Sequence, residues 1–550
     1  MRNSPPTPVN PLLVLSLSDI SVPFGESEDA LRALCAARLG VPEAELGQLR
    51  VRRRALDARH PSRLRYVYTI EVEAPLTLEQ ARRISGAKVS ASAPERRVEF
   101  GTRALLERPV VVGAGPAGLF AAWKLAENGY RPILIERGKP VEARRRDATD
   151  FWKYGRLDPD SNVLFGEGGA GAFSDGKLTS RSKDWRRDDV LDRLARCGAG
   201  DSVRFEARPH VGTDRLFYVL KEVRATLSTL DTKILFETRV EDVLIDRGTL
   251  LGVRCAPDVV IPTNALILAC GHSARDTYHA LRARGVALEQ KPFAMGIRVQ
   301  HRQEIIDRAQ YGRRAVSHEG RDRSLQPAEY VLRCPKTSTG RSVFSFCVCP
   351  GGAVIPCASE PGGLFCNGMS GRNRGGRFAN GAIVAQIPTA DFASADPLSG
   401  IDFQRHWERA AFKSTGGTYA LPMMPLVSFV DGSWPPRRVH GLAKGLFPRA
   451  DLVDLTSLLP PSVVQAVREA SNEFSKTIHG WLAPDAVAFG VETRTSSPVR
   501  ILRREDGQSE NVAGLFPAGE GAGYAGGIVS AAVDGMRAAE HLMATFAPPS

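Results

Sequence analysis

A run of glycines beginning at position 113 has the spacing that lets a backbone close around a diphosphate. Gly113-Ala114-Gly115-Pro116-Ala117-Gly118 follows the apolar run Pro109-Val110-Val111-Val112 and leads into Leu119, Ala122, Trp123 and Ala126, a helical face that stops at Gly129. Gly113 permits the tight turn, Gly115 lets the backbone approach a pyrophosphate, and Gly118 lets helix and strand pack closely. Pro116 has no N–H to lose in the first helical turn. The exposed N–H groups and the helix dipole then favour an anion. A second apolar run, 132–135, ends in Glu136, about 20 residues on, where a carboxylate can accept hydrogen bonds from ribose hydroxyls. Strand, glycine loop, helix, strand and acid in that order predict a dinucleotide site. A second match, Gly166-Glu167-Gly168-Gly169-Ala170-Gly171, runs into Ala172-Phe173-Ser174-Asp175-Gly176-Lys177 and not into an apolar helix. It predicts a loop whose Gly169 and Gly171 bring backbone close to the same ligand.

Other residue types could move protons or electrons. His272, with Arg275 and Asp276 after it, offers an acid/base near neutral pH. Arg298, near His301 on an alternating strand over 296–301, and Arg494 in Glu492-Thr493-Arg494 offer forks for a carboxylate. Cys347 and Cys349 flank Val348 just before Pro350-Gly351-Gly352. Reaction there would need a lowered thiol pKa; two buried structural thiols, not both facing one cavity, are the expectation. Cys334, Cys357 and Cys366 lie nearby, but the spacing matches no zinc or iron–sulfur pattern, so no metal site is expected.

The elements around these residues divide the 550-residue chain into four parts. Residues 1–95 read as a small α/β domain. A strand at 12–17 precedes a helix capped by Ser27 with Leu31, Leu34, Cys35 and Leu39 on one face and Gly40 as its stop. Strands at 49–56 and 64–73 and a helix at 78–84 follow, and 85–94 reads as a linker. That order predicts a ferredoxin-like unit. Residues 105–275 and 489–550 would supply two parts of the dinucleotide domain, and 276–488 an inserted α+β substrate domain. A hydrophobic fraction of 43% with 24% charged residues excludes a disordered or fibrous chain. No apolar run reaches the roughly 18–20 residues of a membrane helix, and Arg2 with the apolar stretch 12–17 makes no signal peptide. The nine scattered cysteines fit a reducing compartment, so the expected location is cytoplasmic. A net charge of +12 reads as a solvated Arg-rich surface.

Segments 234–237, 240–245, 250–254 and 259–261 read as short strands, and Ala265-Leu266-Ile267-Leu268-Ala269-Cys270-Gly271 as a returning one. This resembles the FAD domain of glutathione-reductase-type flavoproteins, and the resemblance implies Val240 and Gly271 beside the cofactor. Leu515-Phe516-Pro517-Ala518-Gly519-Glu520-Gly521 through Gly527-Ile528 opens a helix to about 546 and resembles the last FAD motif of that superfamily, with Glu520 where Asp is commoner. Gly519 and Glu520 would then reach the ribityl and phosphate region. The helix beginning at Gly527 and Ile528 would face the flavin pyrimidine edge, where its N-terminus can favour negative charge by up to about 2 kcal/mol. Glu136-Arg137-Gly138 continuing to Arg144, the stretch 161–178, Gly271-His272-Ser273-Ala274-Arg275-Asp276-Thr277, Phe346-Cys347-Val348-Cys349-Pro350 and Leu56-Asp57-Ala58-Arg59 are similar to a family of uncharacterised bacterial FAD-dependent dehydrogenases, over about 52–540. That similarity adds Arg137 and Arg144 to the cofactor set.

No second nucleotide-binding unit and no Cys-x-x-Cys is present, which argues against a disulfide reductase with a separate NAD domain. The expectation is an FAD-dependent oxidoreductase with non-covalent FAD. A hydride would pass through flavin N5 between a small molecule or NAD(P)H and an unidentified acceptor. A competing reading is a flavin-dependent RNA-modifying or RNA-binding protein. It rests on Arg50, Arg52, Arg53, Arg54, Arg59, Arg63 and Arg65 beside Tyr66 and Tyr68, and on the Gly/Arg loop 372–378. A third is a protein that uses FAD only structurally.

Overall fold

Five strands lie parallel in the order Leu515–Pro517, Leu266–Leu268, Val110–Val112, Ile133–Ile135 and Lys233–Leu235. They belong to a computed structural model that describes residues 12–90, 98–180, 182–317, 320–322, 325–436 and 449–549. Val110, Val111, Leu266, Ile267 and Leu515 are completely buried, as a parallel sheet covered on both faces requires. Helix Pro116–Glu127 leaves the glycine loop and packs against the late helix Ile528–Thr545. Tyr130 closes that pairing by donating its hydroxyl to the Phe546 carbonyl at 2.7 Å. Gly118 is a steric necessity: a Cβ there would lie 1.8 Å from the Gly113 carbonyl oxygen.

Strands Val240–Asp246, Thr249–Cys255 and Val259–Pro262 form a separate antiparallel meander between the last strand of the parallel sheet and the returning one. The run read at 234–237 belongs instead to the parallel sheet, as Lys233–Leu235.

The early residues form a four-stranded antiparallel sheet in the order Leu49–Asp57, Arg65–Ala74, Leu13–Pro23, Ala87–Val89, with helices Ala30–Leu39 and Leu78–Arg83. This is the strand order of the expected split β-α-β unit. Its core of Leu15, Leu17, Ile70 and Val72 is its own. Three local expectations change. Ser27 bonds Asp29 and does not cap the helix. Leu34 is exposed. The start of the stretch read as a linker is an edge strand paired to Leu15, Ser16 and Leu17, while 91–94 lie outside the described residues.

Over the carboxyl ends of the parallel strands sits a seven-stranded mixed sheet. Its order is Arg333–Cys334, Val343–Cys349, Phe378–Ile387, Phe293–Arg302, Val487–Glu492, Leu421–Pro425, Ala450–Leu452. Phe293–Arg302 is central and buried on both faces, so the alternation read at 296–301 does not mark a solvent face. Val487–Glu492 belongs to this sheet, and a boundary between 488 and 489 would cut through it.

Candidate active site

The carboxyl ends of four parallel strands open onto one cavity, where open α/β sheets bind ligands. Val112, Gly113, Gly115, Pro116 and Ala117 line it from the first strand, Ile135, Glu136 and Arg137 from the second. Ala269, Cys270, Gly271 and His272 come from the returning strand; Ala518, Gly519 and Glu520 follow the last. Gly169, Gly171, Val240, Gly527 and Ile528 complete that wall. Three members of the predicted cofactor set do not line it: Ala114, Gly118 and Arg144. Ala114 donates its N–H to Glu136 at 2.7 Å and accepts from the Gly168 N–H at 2.8 Å. Gly118 is occupied with the Gly113 turn.

Gly115 is the informative glycine. Its φ of −78° needs no special freedom, and a Cβ would meet nothing closer than Gly169 Cα at 3.8 Å. The protein's own packing therefore has room for a side chain there, pointing into the cavity. Glycine is explained if a ligand's backbone-hugging atoms take that space.

Glu136 is more fully engaged than its expected ribose contact implied. Its carboxylate accepts from the N–H groups of Ala114, Gly138 and Gly166 at 2.7, 3.0 and 2.9 Å. A carboxylate offers about four acceptor positions, so one remains for a ligand hydroxyl. The same acid thus ties both glycine loops together. Arg137 stacks over Phe165 at 4.4 Å and forks Asp276 at 3.1 and 3.0 Å, presenting a fixed cationic edge.

Arg144 corrects the predicted cofactor set. It is completely buried and donates to the carbonyls of Asn162, Val163, Gly166 and Glu167. It shapes the 162–167 turn and does not line the cavity. Arg298 is corrected in the same way. Its donors go to Glu492, Asn380, Asn367 and the Cys347 carbonyl, leaving no fork for a substrate. The wall in front of it is Glu492 and Asn367. Arg494 does line the cavity, but its fork is closed on Glu408 at 2.8 Å twice, with Ser273 and Ser359 taking further donors.

Glu408 gave no signal in the sequence. It lies within helix Ser399–Ser414, is 1% exposed, and also accepts from Arg275 at 2.9 and 3.0 Å. Burial opposes its charge, but Arg275 and Arg494 hold its carboxyl well below the usual range.

His272 lines the cavity, yet burial and then Arg494 and Arg275 push its imidazole down to about 3. It is a neutral ring near pH 7, which corrects its expected titration there. Its Nδ1 has no hydrogen-bond partner within the described chain, and its Nε2 lies 3.9 Å from Glu520. Burial lifts the Glu520 carboxyl to about 7 against the pull of the Gly527 N–H. The group poised to change charge near neutral pH is therefore the carboxylate.

Cys347 faces the cavity and Cys349 does not. The outcome is as expected, but its cause is a bulge. On a regular strand residues two apart share a face. Here the register slips between Phe346, opposite Ala382, and Cys349, opposite Asn380, with Cys347 at φ +46°. Lys177, another lining residue not singled out from sequence, donates to Asp175 at 2.7 Å and to the Val348 carbonyl.

The basic hairpin proposed for nucleic acid is spoken for in part, with Arg50, Arg52, Arg53 and Arg63 exposed. Arg54 pairs with Glu28 and Glu206, and Arg59 and Arg65 pair with Asp57. Tyr68 is 1% exposed and bonded to Glu28, so its ring is not free for base stacking, while Tyr66 is half-buried. Arg374 of the Gly/Arg loop is buried against Asp175. No helix of the described residues is long and apolar enough to cross a membrane, and none of their His, Cys, Asp and Glu residues cluster as metal ligands.

A family described as FAD-dependent protein, C-terminal domain-like, matches residues 292–495. NAD(P)-binding Rossmann-like domain matches 111–142, and a domain of unknown function matches 15–73. An uncharacterized protein of Clostridium beijerinckii is 39% identical over 543 residues, spanning 98% of this chain and all of the relative. Among solved structures, NikD, an amino acid oxidase of nikkomycin biosynthesis, is 14% identical over 80% of this chain and 94% of its own, with a TM-score of 0.34. The E. coli quinol fumarate reductase subunit FrdA is 14% identical over 81% and 70%, with a TM-score of 0.35.

Proposed function

Because this chain belongs to the uncharacterised bacterial FAD-dependent family that its motifs resemble, with a Rossmann-like dinucleotide-binding segment, we propose that it is an oxidoreductase holding FAD non-covalently above the parallel sheet. The domain arrangement proposed with it is that of the glutathione-reductase type. The observation that carries the cofactor reading is Gly115, a cavity-lining glycine at which the protein's own packing would admit a Cβ. Bound there, FAD supplies two-electron hydride chemistry at N5.

The chain's own residues divide the remaining work. The N-terminus of helix Pro116–Glu127 presents N–H groups to the diphosphate. Glu136 offers its remaining acceptor position to a ribose hydroxyl. The N-terminus of helix Ile528–Thr545 opens onto the cavity at Gly527 and Ile528, where its dipole would favour negative charge on a bound flavin. Glu520 takes or releases a proton near neutral pH beside neutral His272. Arg494 and Lys177 are each held by a carboxylate, Glu408 and Asp175, which makes that end of the cavity polar and suits a polar small-molecule substrate. The donor, NAD(P)H or the substrate itself, is identified by mixing purified protein anaerobically with NADH, NADPH and panels of small organic acids and amines. Bleaching of the flavin by one of them supports the oxidoreductase reading. A yellow protein that dithionite bleaches but that no organic donor reduces would point to a structural cofactor.

A further inference from the structure

Two cysteines face or adjoin the cavity wall, and their surroundings differ. Cys270 lies between the opposed charges of Arg137 and Asp276, where burial pushes its thiol up to about 12. Cys347 is placed by a bulge that gives a non-glycine residue a left-handed φ of +46°. Its thiol is brought down by a hydrogen bond from Cys349, then by the charges of Lys177 and Arg298. The Lys177 ammonium is locked beside it on the carbonyl of Val348, the residue between the two cysteines. Cys349 is fully buried directly behind, 3.4 Å from the Cys347 carbonyl oxygen, and both are free thiols. Phe346, 38% exposed, lines the cavity next to Cys347, so this wall is reachable from outside.

We propose that Cys347 and Cys349 are a redox pair that exchanges two electrons with the flavin, making a small disulfide or dithiol the second substrate. The inference rests on the FAD reading of the cavity. The step balances without a further reactant. The Cys347 thiolate and the Cys349 thiol form one S–S bond, releasing an electron pair and the Cys349 proton. Oxidised flavin takes up both and becomes the reduced anion; the reverse step restores the dithiol. An external disulfide R–S–S–R enters at Cys347: the thiolate displaces RS⁻ and forms a mixed disulfide. Cys349 then displaces the second RS⁻, which carries off the Cys349 proton as RSH, and closes the internal bond.

The test is anaerobic reductive titration of the air-oxidised holoprotein with dithionite, after its flavin content has been measured. Wild type is expected to take up four electrons per flavin, and Cys349→Ser and Cys347→Ser two each with unchanged flavin content. Peptide mapping without reductant should recover a 347–349 link from wild type only. Uptake of two electrons by flavin-replete wild type, with no such link, overturns the dithiol and leaves the FAD reading standing. A colourless protein that cannot be reconstituted with FAD overturns both.

Discussion

Gly115 can be tested by one side chain. Gly115→Glu fits the space the protein leaves there but sets a bulky negative charge against the diphosphate, so the variant should purify folded and without flavin, read by visible absorbance and circular dichroism. Full flavin content would remove that loop from the cofactor site. Glu167 tests the electrostatics behind the loop. It is 1% exposed, its Oε1 has no partner within the described chain, and burial raises its carboxyl from 4.5 to about 7. The folded state therefore binds this proton more tightly than the unfolded state. Its contribution to stability is complete below about pH 4.5 and is lost as pH rises through about 7. Glu167→Gln should flatten the stability profile across that window, measured by urea unfolding at several pH values; an unchanged slope would contradict the shift. Glycine spacing was legible at this scale because turn geometry is local. The engagement of Arg298 and Arg494 was not, since Glu492 and Glu408 lie 194 and 86 residues from them in sequence.

Elements decide which of those distant residues meet. Helix Ser399–Ser414 carries Glu408 between two buried guanidiniums, Arg275 and Arg494, and so joins the inserted sheet to the helix that follows the returning strand. Glu408→Gln would leave buried Arg494 without its carboxylate partner and Arg275 with Glu360 alone. Breaking such a pair costs about 3–5 kcal/mol, read as a lowered urea midpoint; a change under about 1 kcal/mol would mean that water or another carboxylate replaces it. Apolar runs made the parallel strands and the meander legible. The bulge at Cys347 was not, because an extra residue in one strand is set by pairing across the sheet and leaves no mark in the local pattern.

At the scale of the whole molecule, the early unit has its own core, packs Phe24, Leu56, Ala58 and Leu64 against the main one, and makes a short strand-like contact with the rest. Arg54 N–H donates to the Phe205 carbonyl at 2.7 Å and its carbonyl accepts from Ala207 at 2.8 Å. A chain shortened to begin at residue 98 should fold and keep its flavin, assayed by absorbance and thermal melting beside the full chain. Loss of flavin from the shortened chain alone would make the early unit part of the cofactor site. The β-α-β-β-α order of this unit was legible from hydrophobic periodicity, but its last edge strand was hidden in a Ser/Ala/Gly-rich stretch that reads as a linker.

Strand Leu515–Pro517 and helix Ile528–Thr545 pack on elements that the ribosome finished long before. At roughly 5–20 residues per second, a nascent chain would wait some 20–80 s between making Glu136 and making its counterpart wall. During that interval Ala117 of helix Pro116–Glu127, which meets Ala531 and Gly535 of the late helix, has no permanent cover. Prosthetic-group capture must then follow translation, and stalled or nonsense-truncated products of this gene would be natural clients for chaperones.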